Sequence, residues 1–282
     1  MTNEQLYHQQ EELTLDMVNS QPKLRVSWQG IFSLVMFFYM YLPLLVLTFY
    51  SFNDSKYSAQ WQGFTFKWYL KLWEDESVKT ALFNSLTVAL VAVGISAVLG
   101  TMMAVGLARY HFPGKRLYRG ISYLPLIIPD IAIAVATLIF LAVMAIPLSL
   151  WTIIAAHIVF CLAYIAIVVS SRITQLDPHL EEAALDLGAT PLQAFIKILL
   201  PELMPGIIAG CLLSFVLSMD DFLISSFTAG TGATTLPMEI FSRIRTGVKP
   251  DINALSVLLI LVSGAVAFIA EWLRYRSVEN RQ

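Results

Sequence analysis

The chain is 282 residues long, 57% hydrophobic and only 13% charged, with a mean hydropathy of +0.68. A soluble domain carries about twice that share of charge, so the composition points to a protein that crosses a membrane several times. A net charge of −2 excludes an overall basic nucleic-acid binder.

Residues 1–28 are polar and are expected to form a cytoplasmic tail. Six apolar runs follow, at roughly 29–51, 81–108, 120–146, 151–171, 203–226 and 253–273. Each has about 20 residues or more, as a ~30 Å hydrocarbon core requires. The first run is too long for a signal-peptide core and lacks a small-residue cleavage site, so it is expected to be retained. Loop 109–119 carries Arg109, Lys115, Arg116 and Arg119 and no acid, which places it in the cytoplasm. Six spans then put both termini inside. Lys23 and Arg25 in the first tail agree, as do Arg274, Arg276 and Arg281 in the last tail, 274–282. The bias is not clean, because the outer loops hold Lys56, Lys67, Lys71, Lys79, Arg243, Arg245 and Lys249. The outer segment 52–80 is rich in aromatic residues, among them Trp61, Phe64, Phe66, Trp68, Tyr69 and Trp73, and is expected to hold a helix lying at the headgroup layer. Outer loop 227–252 has turn chemistry at Gly230, Gly232, Gly247 and Pro250.

A polar island at 177–201 interrupts the apolar pattern on the cytoplasmic side. Asp177 can cap a helix with Pro178 at its first position. That helix is expected to run to Leu187 and stop at Gly188, where a left-handed residue is easy. Leu180, Ala183, Ala184 and Leu187 share one face, while Glu181, Glu182 and Asp186 lie elsewhere. Thr190, Pro191 and Gln193 then read as the cap, first position and capping box of a second helix. The island is either an ordinary loop packed on its own chain or an element that docks a partner. The small alanines favour close approach by another surface.

Three acids fall inside the apolar runs: Asp130, Asp220 and Asp221. Each costs about 2.5–3.5 kcal/mol at a helix centre, so each needs a partner or a wet cavity. No Lys or Arg lies within a run to neutralise them, which makes an external cation a physically motivated partner. Asp130 is expected about ten residues into a continuous span, ~15 Å deep. Pro125 and Pro129 precede it and can leave backbone carbonyls free beside the carboxylate. Asp220 and Asp221 are expected about 100° apart on one helix, so one faces the path and the other a neighbour. Helical phase does not decide which. Asp221 would share its face with Gly210 and Ser214, above the close-packing Gly206–Gly210 pair. His157 reads as a satisfied interhelical hydrogen bonder rather than a proton relay. The four histidines (His8, His111, His157 and His179) are too scattered for a metal site. Cys161 and Cys211 read as small buried hydrophobes.

Glu182-Ala183-Ala184, three residues, Gly188, nine residues, Ile198, one residue and Leu200-Pro201 together resemble the permease signature of bacterial ABC importers. The resemblance covers roughly 78–273, in span count and in the place of the island before the penultimate helix. It implies an all-α, six-span type I importer permease of the bacterial inner membrane. It also implies that Glu181, Glu182, Ala183, Ala184, Leu187, Gly188, Ala189 and Pro191 belong to a coupling helix seated in a separate ATPase subunit. Ser218-Met219-Asp220-Asp221-Phe222, the Gly232–Met238 stretch, Asn253-Ala254 and Pro129-Asp130 look like the spermidine/putrescine branch. That branch implies a periplasmic polyamine-binding protein and a second permease chain, by analogy a paralogue. The long tail 1–28 departs from the pattern.

The chain has no G-x-x-x-x-G-K-[ST], since Gly114-Lys115 lacks the upstream glycine and the following hydroxyl. Energy is therefore expected from ATP used by the partner, with no cofactor in this chain. H-E-x-x-H is also missing, and the acids lack a Gly-x-Gly-Asp context, so a catalytic role is not expected. Two other readings remain open: a permease of the same class for another small cationic solute, and a proton- or cation-coupled secondary transporter. The second would need inverted repeats and leaves the island unexplained.

Overall fold

A computed structural model describes residues 28–55, 60–177, 179–247 and 249–279, with side chains described as far as residue 265. The readings placed on residues 1–27, Lys56, Pro178 and the side chains after 265 lie outside this range. The described residues form helices joined by short irregular segments.

Helix α1 spans Trp28–Ser51. The window of α1 that is apolar enough to cross a membrane is 0% buried within the chain. It packs on α12 (Pro250–Glu279) and otherwise faces outward. Beyond it lies a small outer lobe. Asn53 is fully buried; its side chain donates to Gln60 O (2.7 Å) and accepts from the Gln62 N–H (2.9 Å). Around it Phe52, Phe64, Phe66 and Tyr69 meet at ring-centroid distances of 5.0–6.3 Å. The short helix α2 (Lys67–Glu74) completes the lobe by burying Trp68 and Leu72. A helix is therefore present within 52–80.

The core is a three-helix arrangement of α3 (Glu76–Arg109), α6 (Leu150–Ile173) and α9 (Leu200–Asp220). Asp75 starts α3 by accepting the Ser77 and Val78 N–H groups. Val93 and Ala104 of α3, Ile165, Ala166 and Val169 of α6, and Leu203 of α9 fill the centre. Lipid supplies no hydrophobic drive between spans, so helices associate through close van der Waals packing, which small residues permit. The Gly206–Gly210 pair acts in this way: a Cβ on Gly210 would sit 3.2 Å from the Ile165 Cα.

Two expected spans are broken. The run 120–146 divides into α4 (Lys115–Ser122), a tight turn at Leu124–Leu126, and α5 (Asp130–Val143). The two parts are bent by 106°. Pro129 is extended, with φ −57° and ψ 137°. Proline removes a donor and biases the preceding residue away from helix, so Pro125 and Pro129 end the helix here instead of merely loosening it. Asp130 is thus the first residue of α5, not a mid-helix carboxylate. The run 203–226 also divides: α9 ends at Asp220, Asp221 is extended (φ −68°, ψ 120°), and α10 occupies Leu223–Thr228. Asp220 therefore ends α9 and Asp221 stands just beyond it, yet Asp221 still turns toward α6 as Gly210 and Ser214 do: Gly210 lies against Ile165, Ser214 Oγ donates to Cys161 O and Asp221 meets His157.

Four helices among the described residues are long and apolar enough to span, or five if the bent pair is one crossing. The expected sixth span lies in α12, whose described apolar section is the shorter Pro250–Ala265. Outer loop 227–252 turns at Gly232 and Gly247, both at positive φ, and also contains helix α11, Leu236–Arg245.

Candidate functional site: a leucine-bearing projection and a set of acids

Helix α6 hands over to the projection through Asp177, whose Oδ1 accepts the His179 N–H at 2.9 Å. Helix α7 is Leu180–Asp186. It closes as the island predicts: the Gly188 N–H bonds to Leu185 O (2.9 Å) and the Ala189 N–H to Ala184 O (3.0 Å). Gly188 sits at φ +87°, a left-handed conformation that a side chain makes costly. The capping box is formed on both sides. The Gln193 N–H donates to Thr190 Oγ1 (3.3 Å) and the Thr190 N–H to Gln193 Oε1 (2.9 Å). Pro191 opens α8 (Pro191–Ala194), which runs through a π-helical turn at Phe195–Leu199 into α9. In that turn the Leu200 N–H reaches back to Phe195 O.

The expected apolar face divides in two. Ala184 is buried against the chain's own projection, with Ala194 and Leu199. Ala183 is exposed, and Leu187 is 91% exposed. Leu185 and Leu192 are exposed as well. Glu181, Glu182 and Asp186 lie on or near the surface, as do Gly188, Ala189 and Pro191. Leu185, Leu187 and Leu192 thus leave apolar side chains bare on the projection. Arg109, at the end of α3, forms an ion pair with Glu181 and so ties the projection to the core helices. Sequence reasoning missed this role, because Arg109 counted only as a topology signal. His179 Nδ1 lies 3.0 Å from Glu182 Oε2. That hydrogen bond, with the charges of Glu182 and Asp177, raises the histidine pKa above its ordinary value.

The three acids have three different settings. Asp130 is exposed at the start of α5, where the positive end of the helix dipole favours a carboxylate. Asp220 is exposed on the last turn of α9. Neither side chain has a hydrogen bond or ion pair among the described residues. Asp221 is committed: its carboxylate accepts the Ile224 N–H (3.2 Å), the Ser225 N–H (2.8 Å) and the Ser225 hydroxyl (2.9 Å). His157 Nε2 lies 3.2 Å from Asp221 Oδ2. His157 is fully buried and also meets Ser218 Oγ (2.8 Å) and Ser225 Oγ (3.1 Å). The reading of His157 as an interhelical hydrogen bonder agrees with this geometry. The expectation that all three acids lack an internal basic partner does not hold for Asp221. The structure brings α5 and α10 together, with Ala134 and Ile224 in one core cluster.

At the end of the bundle opposite the projection, Asn84 of α3 donates to Gly232 O (3.2 Å) and Thr234 O (2.9 Å). Arg243 of α11 bonds Asp75 (2.9 Å) and Glu239 (2.8 Å) and lies 3.6 Å from Asp251. The ring of Phe241 of the same helix lies tilted against that of Phe222, beside Asp221, with centroids 4.4 Å apart. Helix α11 is thereby held over the α9–α10 break.

Residues 96–280 match the family model described as "Binding-protein-dependent transport system inner membrane component". The putrescine transport system permease protein PotI of Escherichia coli (strain K12) is 43% identical over 271 residues, 94% of this chain and 96% of that protein. The spermidine/putrescine transport system permease protein PotC of Haemophilus influenzae is 37% identical over 247 residues, 88% of this chain and 96% of that protein. Among solved structures, a bacterial ABC transporter involved in import of the acidic polysaccharide alginate aligns over 86% of this chain and 94% of its own, with TM-score 0.70 and 14% identity. The alginate transporter in complex with its pentasaccharide-bound periplasmic protein aligns over 85% and 90%, with TM-score 0.65 and 18% identity. At these identities the likeness is one of fold.

Proposed function

This chain belongs to the family of binding-protein-dependent transport system inner membrane components, and from that premise we propose that it is the permease subunit of an ATP-driven importer of putrescine or spermidine. The reading rests on one observation above the others: a capped projection that presents Leu185, Leu187 and Leu192 bare on the side opposite the outer lobe. An ATPase subunit that covers these leucines would transmit its closure through α7 and α8 into α6 and α9. Glu181, Glu182, Ala183, Ala184, Leu187, Gly188, Ala189 and Pro191 are the coupling residues. ATP is spent by the partner, and both termini of this chain face the cytoplasm. A second permease chain, a paralogue, lines the other half of the path, and a periplasmic polyamine-binding protein delivers cargo at the outer face. The transport family leaves no role for a self-sufficient secondary transporter.

The cargo reading draws on the names of the relatives and on the exposed carboxylates Asp130 and Asp220, which suit a small polycation. In proteoliposomes holding the whole transporter, labelled putrescine uptake requires ATP, and excess spermidine competes with it. Gly188→Asp and Glu182→Lys abolish uptake while the chain still inserts. Normal uptake in either variant overturns the coupling assignment. Uptake of a different cation with no polyamine competition overturns the cargo.

A further inference from the structure

We propose that His157 is a positioning residue for cargo transfer: it holds Asp221 inside the bundle, fixes the break between α9 and α10, and so aims the neighbouring Asp220 at the path. The inference rests on the reading of Asp220 as a path carboxylate.

The break has no helix-breaking residue, and its one local signal is the capping aspartate Asp221. Residues 219–223 are Met219, Asp220, Asp221, Phe222 and Leu223, with neither Pro nor Gly to end a helix. Two sets of tertiary and capping bonds hold it open instead. Asp221 caps α10 through Ile224 and Ser225. The His157 ring then bridges the two sides of the break, bonding Ser218 on the last turn of α9 with Nδ1 and Ser225 on the first turn of α10 with Nε2. The same Nε2 faces the Asp221 carboxylate. His157, Ser218 and Ser225 are all buried, so no water can replace a lost partner without cost. Asp221 turns inward to His157 on the side that Ser214 and Ser218 also present to α6, while Asp220, about 100° round the axis, stays exposed on the final turn of α9. The two adjacent acids are thus sorted, one to anchor the break and one to meet the cargo. His157 sits on α6, so a change in α6 reaches Asp220 through one imidazole.

The test uses the assembled transporter in membranes, with Cys161→Ala and Cys211→Ala removing the native thiols. A reporter thiol is placed by Asp220→Cys, and a reference thiol outside the bilayer by Glu76→Cys. Both are titrated with a cationic methanethiosulfonate. His157→Leu is expected to slow labelling at the Asp220→Cys position by about tenfold, the scale of one lost hydrogen bond to a charged group. The reference thiol should keep its rate. His157→Gln, which retains hydrogen-bonding groups, should restore labelling, and Asp221→Asn should reproduce the loss without adding to that of His157→Leu. An unchanged rate in His157→Leu overturns the proposal. So does a parallel change at both thiols with loss of the copurifying ATPase subunit, since that marks a merely structural residue. The polyamine reading is tested apart from the reporter, by labelled putrescine uptake in the transporter that keeps Asp220. If the His157 labelling pattern holds and putrescine is not taken up, the positioning role stands and the polyamine reading falls.

Discussion

Arg109, the last residue of α3, is ion-paired with Glu181 in the first turn of α7. The pair joins the longest core helix to the projection formed by α7 and α8. Both side chains are about a quarter exposed (28% and 24%), so the direct stabilisation is small, about 1 kcal/mol or less. Its value lies in orientation. Arg109→Glu is expected to reduce ATP-driven uptake severalfold, and Arg109→Glu with Glu181→Arg to recover most of it. Uptake and copurified ATPase should be measured together, because an orientation defect lowers the first more than the second.

Leu187 is nearly bare, yet it ends a helix whose Ala184 is buried. Leu187→Asp therefore leaves the chain's own packing intact and spoils the surface offered to a partner. Loss of the ATPase subunit during mild-detergent purification is expected, with unchanged yield and thermal stability of the permease. Ala184→Asp should instead lower the stability of the permease, since it buries a charge at an own-chain contact.

The outer clasp has a pH signature. Asp75 is subject to burial, which raises its carboxyl pKa, but the Arg243 hydrogen bond and charge and the Val78 and Ser77 N–H groups outweigh it and hold the value below 3.8. A carboxyl depressed by folding contributes stability that is complete above its ordinary value and is lost as pH falls through the folded one. Unfolding in detergent should therefore show a loss of stability below about pH 4 that Asp75→Asn flattens. Arg243→Gln leaves Asp75, Glu239 and Asp251 facing one another and should cost about 2–3 kcal/mol at neutral pH.

Gly230 lies against the backbone of Leu148 and Ser149, where an added Cβ would overlap the Leu148 carbonyl. Backbone cannot rotate away as a side chain can. Gly230→Ala is expected to cost about 1–3 kcal/mol through displacement of the outer loop, read as a lowered unfolding temperature of the purified permease.

Much of the projection was legible in the sequence because its signals are local. The Thr190–Gln193 capping box and the left-handed Gly188 each depend on residues within one turn. The Gly206–Gly210 packing and the bonding role of His157 were legible for the same reason: residue type and helical phase were enough. The two broken spans were not. Pro125 and Pro129 were visible, but an apolar run from 120 to 146 reads as one helix when hydropathy outweighs backbone chemistry. At Asp221 the warning was subtler. An aspartate three residues before Ile224 is a cap signal, masked by apolar residues on both sides. The Arg243 clasp joins positions 75, 239 and 251, and the Arg109–Glu181 pair bridges two separate elements. No local pattern records contacts across such distances.

The π-helical turn at Phe195–Leu199 has a consequence for how the two ends of this helix face. Such a turn holds about one residue more than the α ladder, and one residue amounts to a rotation of roughly 100°. The compass bearing of Leu192 and Thr190 about the axis of α9 is thus set by a single unit of chain length. Deleting one residue there would swing the exposed Leu192 side about a quarter turn while leaving every side chain on it unchanged. What the projection presents is then a matter of phase as much as of composition.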